Sequence, residues 1–500
     1  MSRSDFFLGI DLGSSSVKTS LFDSTSGKSV DSCTYPSSEM EIISKEDGWA
    51  EQDPNYWWDC ILKTFENLSE KNDFKLVRSI GISYQMHGLV VLDKNNNLLY
   101  NSIIWCDSRA VKIGQRAESE LESSILENKI LNSPGNFTAS KLRWLKENRS
   151  DVYDQISKIM LPGDYIVFKL TNKISTTPMG LSEGILWDFH SDKLSEDVLE
   201  YYNIDRKLIP EIVDSVGNQG TISDDVRDRF GFDNDVKVTY RAGDQPNNAF
   251  SLNVLEPGEI AATAGTSAVI YSVTDKNISD TNNRINTFLH CLNSKSKKRN
   301  GLLLCINGSG IAYSWVKSIL GEKSYKEMDI KSENINSSEG LKFYPFGNGS
   351  ERLFSNKKID SHLIGFDFNK HNNQHIIRSV LEGISFSLCY SIELLREFGV
   401  NVDTVKVGNA NLFLSKVFRE SFINSSNVKL QMFDTNGAEG AARGAALGLG
   451  FYKSPHEAFK SLNIISEEKP NGKNDYIERY KDWKDFLNKL NQNNGSYTWS

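Results

Sequence analysis

The chain has 500 residues, of which 39% are hydrophobic and 24% charged, with a formal net charge of −8. That length exceeds one ordinary core and predicts two or three domains, while the acidic balance disfavours nonspecific binding to nucleic acid or to an anionic membrane. No apolar stretch approaches the roughly 20 residues that span a bilayer, so neither nucleic acid nor membrane is expected as a partner.

In chain order, a polar 1–5 runs into a strand-like 6–10 with no apolar leader before it. Residues 8–23 hold an apolar run, the turn Gly13-Ser14-Ser15-Ser16 and a second β-branched run, which predicts a β-hairpin. Helices are expected over 54–68 and 140–148, and strands over 77–83 and 89–93. A short strand, 237–243, ends on Gly243, and the domain boundary is placed there. Residues 259–271 repeat the hairpin device around Gly265-Thr266-Ser267, so a duplicated architecture with facing loops is the simplest account. From 375 to 396, Ile376, Ile377, Val380, Leu381, Ile384, Leu388 and Ile392 recur at helical spacing. Further helices are expected at 441–449 and 476–490, then a loose tail over 492–500. Strands alternating with helices make the fold class α/β. Six scattered cysteines, none in a C-x-x-C pair, predict reduced thiols in a cytoplasmic protein.

Three places could carry chemistry. Asp11 precedes the first small-residue turn, whose N–H and hydroxyl groups suit phosphate oxygens, while its carboxylate suits Mg²⁺. An ordinary hairpin turn explains the same residues. The turn lacks the lysine of a P-loop and the G-x-G-x-x-G spacing. Two matching turns on facing domains would clamp a polyphosphate from both sides. Asp244 follows the strand ending at Gly243 and precedes Gln245-Pro246-Asn247; it reads equally as a helix N-cap or as the carboxylate that takes a proton from an alcohol. Gln85-Met86-His87-Gly88 and Trp105-Cys106-Asp107-Ser108-Arg109 offer groups that read hydroxyls, though a lone histidine is more often structural and such clusters also occur at packed strand ends.

These blocks, in this order, resemble the FGGY family of carbohydrate kinases, and within it the xylulokinases. The resemblance rests on Asp11-Leu12-Gly13-Ser14, Ala264-Gly265-Thr266-Ser267, Gly48-Trp49-Ala50-Glu51-Gln52-Asp53-Pro54, the run from Phe137 through Lys141 to Trp144, and the run from Pro345 through Glu351 to Arg352. It implies two ribonuclease H-like domains of the actin and hexokinase type with a cleft between them, divided here as 1–243 and 244–500. It implies ATP and Mg²⁺, a small-molecule sugar, and allows a homodimer. It makes Asp244 the catalytic base and, with Asp11, a metal ligand. Gln85, Met86, His87, Trp105, Asp107 and Gln245 would bind the sugar. Gly13, Ser14, Ser15, Lys18, Gly265, Thr266 and Ser267 would hold the phosphates. The family's Gly-Gly-Gly-Ala run at the adenine site reads here Gly408-Asn409-Ala410-Asn411. Where many xylulokinases have Asp-Asn, this chain has Asp244-Gln245, as glycerol kinases do. The reading is therefore phosphoryl transfer from ATP to a primary hydroxyl of a ketopentose, D-xylulose first. The rivals are a glycerol, ribulose or gluconate kinase and a non-catalytic actin-like nucleotide-binding protein.

Overall fold

Both predicted hairpins form, and each opens a sheet. In the computed structural model, which describes residues 5–472 and 474–492, Phe6–Leu12 pairs antiparallel with Val17–Asp23, and Val17–Asp23 with Lys28–Tyr35. Val77–Tyr84 then adds parallel to Phe6–Leu12, Lys237–Gly243 adds parallel to Val77–Tyr84, and Val216–Thr221 closes the edge. The second sheet repeats the scheme. Ile260–Ala264, Ala268–Thr274 and Asn300–Ile306 form an antiparallel meander, and Thr404–Gly408 and Lys429–Phe433 add in parallel on the other side of Ile260–Ala264. Asn286–Leu289 and Ile464–Glu468 extend its two edges. Three antiparallel strands followed by two parallel ones, in the same spatial order, occur twice, so the duplication inferred from the two turns is a duplication of topology.

The expected helices lie at Pro54–Ser69, Thr138–Asn148, Asn373–Glu397, Gly437–Gly448 and Asn474–Gln492. The first starts where Asp53 Oδ1 accepts the Asn55 N–H and Pro54 supplies a preset φ. The longest buries Ile377, Val380, Leu381, Ile384, Leu388 and Ile392 in the core of the second domain, as its periodicity predicts, while Ile376 is only partly buried at the edge of that core. The expected tail, beyond Gln492, lies outside the described residues.

The division at 243/244 assigns Gly437–Gly448 to the second domain, yet this helix lies on the first sheet. A Cβ on Gly9 would stand 1.8 Å from the Ala438 carbonyl oxygen, and one on Gly81 would stand 2.0 Å from that of Ala441. Bare glycine in two adjacent strands and alanine on the helix let backbone meet backbone. Arg443 of this helix, buried, donates to the carbonyls of Gly27 and Ala458, with Phe22 beneath its guanidinium. Short-range patterning carries no trace of this return.

Candidate active site

Parallel register brings the chemistry together. Leu12 and Gly243 both stand opposite Tyr84, so three chain segments leave the first sheet at one level. The residues that follow are Gly13, Gln85 and Asp244. Carboxyl ends of parallel strands are where ligands bind in open α/β sheets, and here they open into a cleft of about 650 Å³ between the two domains. Asp11, Gly13, Ser14, Ser15, Lys18, Gln85, Met86, His87, Trp105, Asp244, Gln245 and Ser267 all line it. An adjoining cavity of about 710 Å³ takes the other face of the second turn, Gly265 and Thr266, and is closed by Tyr313, Tyr325, Asp329, Asn411 and Leu412. The second turn thus stands between two cavities.

Asp244 opens the helix Asp244–Ser251. Burial, and then the negative charge of Asp11, push its carboxyl up from 3.8 to about 7. Asp11 is raised too, chiefly by burial, against a hydrogen bond from Ser83 Oγ at 2.7 Å to its Oδ1. Ser83 is its register partner on the neighbouring strand. Gly437 begins its helix against Asp11, where a Cβ would come within 2.4 Å of Oδ2. Asn247 Nδ2 donates to the Gly437 carbonyl at 2.8 Å and ties the two helix starts together. Gly243 has no room for a side chain either, since a Cβ would lie 2.7 Å from both Glu183 Oε2 and Met86 Cγ.

The first turn closes with Gly13 N–H donating to the Ser16 carbonyl at 3.0 Å. Gln52 holds it to the sugar side, as Nε2 donates to the Ser14 carbonyl and Oε1 accepts from Gln85 Nε2 and Trp57 Nε1. Among the described residues Gln85 Oε1 has no partner of its own. His87 sits at φ 61°, between the rings of Phe137 and Phe288. Its Nδ1 is 2.9 Å from the Glu183 carbonyl. A carbonyl only accepts, so Nδ1 carries the hydrogen and Nε2 is left as an acceptor. Burial, and the Lys141 charge, hold this histidine down to about 3, so it is neutral at pH 7. Lys141 is itself fully buried and pushed down to about 7 by burial. Its Nζ donates to the His87 and Ile104 carbonyls, at 2.9 Å each, and so joins the two loops that carry His87 and Trp105.

Two groups of expected residues lie elsewhere. Asp107 is fully buried and does not line the cleft; its carboxylate accepts from Ala50 N–H and from the Arg109 guanidinium, which reaches on to Glu51 and lies over the Trp49 ring. Its role is to brace the turn that presents Trp105, which is itself 46% exposed. Of the run 408–411, Asn411 alone borders the second cavity. Asn409 and Ala410, exposed as Asn411 is, border neither cavity. Tyr313, Tyr325 and Asp329 were not singled out by sequence, for they sit in helices with no motif. Lys141 and Gln52 stood inside recognised blocks, but nothing local assigns them a partner.

Residues 6–251 match the FGGY family of carbohydrate kinases, N-terminal domain. The chain is 31% identical to a xylulose kinase of Lactococcus lactis over 491 residues, 96% of each chain. Its fold matches a ligand-bound xylulose kinase from Lactobacillus acidophilus, with TM-score 0.88 and 23% identity over 99% of this chain and 100% of that one. It matches a gluconate kinase from the same organism equally well, with TM-score 0.89, 23% identity and the same coverage. The fold is shared across acceptors.

Proposed function

Because the chain belongs to the FGGY family of carbohydrate kinases, and is thus an ATP-dependent sugar phosphotransferase, we propose that it phosphorylates the primary hydroxyl of a ketopentose, D-xylulose, to give D-xylulose 5-phosphate. The observation that carries this reading is the common level at which Gly13, Gln85 and Asp244 leave the first sheet: a phosphate turn, a sugar-reading side chain and a carboxylate share one cleft. The names of full-length relatives support xylulose as the acceptor.

In the proposed mechanism Asp244 accepts the proton of the sugar hydroxyl while holding that oxygen in line with the γ-phosphorus. A carboxyl held near 7 is poised for this at neutral pH. Gln85 Oε1 and His87 Nε2 accept from other sugar hydroxyls, and Trp105 gives the open carbon chain an apolar face. Main-chain N–H groups and hydroxyls of the two turns, with Lys18, take the phosphate oxygens. The purine lies in the second cavity, beside Asn411 and Tyr325. Mg²⁺ fits Asp11 and Asp244: the donors are all oxygen, two carboxylates crowd one cleft, and both are pushed up, chiefly by burial. Among the described residues no cluster of three His, Cys, Asp or Glu forms a cage, as suits an ion that takes its other ligands from phosphate and water. When bound it neutralises charge on the phosphates. Closing the domains over the cleft excludes water and limits loss of ATP to hydrolysis. Cysteines that are all unbridged support a cytoplasmic setting.

A coupled ADP-release assay with ATP against D-xylulose, ribulose, glycerol and gluconate tests the acceptor. Turnover is expected to be fastest with D-xylulose; turnover of another polyol without xylulose would overturn that choice. A second expectation concerns Lys141→Met. Losing the ammonium group leaves the His87 carbonyl without its donor, leaves the Ile104 carbonyl only the Asp107 N–H, and releases both sugar loops. KM for the sugar should rise about tenfold, equivalent to 1.4 kcal/mol, while KM for ATP stays within about twofold. Equal changes in both constants would refute a role confined to the sugar loops.

A further inference from the structure

The cleft has one more charged wall that no step above uses, the guanidinium of Arg352. Its centre stands 5.6 Å from the centroid of the Phe137 ring, across the cleft from the domain that carries it. Glu118 acts on it only through space, and that carboxylate is already engaged by Ser133 Oγ and Asn283 Nδ2. Among the described residues none accepts a hydrogen bond from Arg352. A guanidinium with five donors and no acceptor, drawn partly out of water, is a site waiting for an anion.

Its position says which anion. The neighbouring Glu351 accepts the Asn307 N–H at 3.2 and 3.1 Å through its two oxygens. Asn307 follows Ile306, whose register partner Ala268 comes directly after Ser267. The backbone of Arg352 is therefore pinned beside the second phosphate turn. Its side chain reaches to Phe137, which packs on His87 at the sugar end. The guanidinium thus stands where the two substrates must meet. Charge agrees: Asp11 and Asp244 make this part of the cleft negative, and a triphosphate adds more.

We propose that Arg352 binds the phosphoryl group during its passage from ATP to the sugar hydroxyl and remains on the phosphate of the product. The inference rests on the kinase reading. In the step, the bond from the sugar oxygen to Pγ forms as the bond from Pγ to the β,γ-bridging oxygen breaks. The hydroxyl proton passes to Asp244, and Arg352 keeps all its protons while its N–H groups hold the equatorial oxygens.

Two variants test it, Arg352→Gln and Arg352→Lys. Arg352→Gln should lower kcat by about 10²–10³-fold with both KM values within about twofold, and Arg352→Lys should recover part of that loss. A readout without turnover is the melting temperature with ADP, Mg²⁺ and D-xylulose, before and after adding aluminium fluoride as a phosphoryl mimic. The parent should gain stability on that addition, and Arg352→Gln should not. If Arg352→Gln fails to fold, the same increment in Arg352→Lys decides, and it should be smaller than in the parent. A rise in sugar KM with unchanged kcat would overturn the proposal, because Arg352 would then read the sugar. So would an aluminium fluoride increment equal to the parent's. A parent that turns over no sugar with ATP is a different failure, of the kinase reading, and shows before any variant is made.

Discussion

Asp244→Asn is expected to lower kcat for phosphotransfer by about 10³-fold, because the amide cannot take the hydroxyl proton. The same substitution should stabilise the protein free of divalent cation. The Asp244 carboxyl moves from 3.8 to about 7 on folding, through burial and the facing Asp11. The folded state therefore holds the proton more tightly, and stability falls as pH rises from about 4 to about 7, then levels off. Asparagine removes that loss. At pH 8 the variant should be more stable on the order of 2 kcal/mol, discounted for partial solvent screening, or by about 4–8 °C in melting temperature. Below about pH 4 the difference should vanish. Full kinase activity in the variant, or melting points that coincide at pH 8, would remove Asp244 from the role proposed for it.

Gly9→Ala should have the largest effect on the fold. Its Cβ would meet the Ala438 carbonyl oxygen at 1.8 Å and the Ala442 nitrogen at 2.6 Å. Both are main-chain atoms of one helix, so neither can step aside by a rotamer change. The helix Gly437–Gly448 must lift from the sheet, which costs about 3 kcal/mol or more and lowers the melting temperature by about 6–12 °C. Function should fall further than stability, since the same helix begins at Gly437 against Asp11. Any remaining folded fraction should therefore show a raised KM for ATP. A variant as stable and active as the parent would mean that the helix is not seated as described.

Much of the fold was legible because it rests on local rules. The hairpins at 8–23 and 259–271, the helix over 375–396 and the strand ending at Gly243 follow from period, turn residues and caps. The site was legible wherever a residue stands in a short block beside a strand end, as Asp11, Gln85, His87 and Asp244 do. It was not legible where the answer depends on a partner far along the chain. Asp107 looks like a sugar ligand in Trp105-Cys106-Asp107 until Arg109, Ala50 and Glu51 are seen to consume it. Asn409 and Ala410 look like nucleotide contacts until the second cavity is seen to be bordered, of that run, by Asn411.

The sequence alone determined the elements and the duplicated turn device, because propensity, periodicity and capping act within a few residues; the cleft and the residues at its rim were expected from the resemblance of its motifs to the family. Only the tertiary structure decided which side chains are free to meet a ligand. Parallel register set Gly13, Gln85 and Asp244 at one height. The glycines of the first sheet admitted the helix 437–448 against Asp11. Burial beside a second carboxylate raised Asp244, and the packing of Glu351 on Asn307 carried into the cleft an Arg352 that has no acceptor among the described residues. Each of these is a contact between segments far apart in the chain, whose energy depends on distance and dielectric that no local pattern encodes.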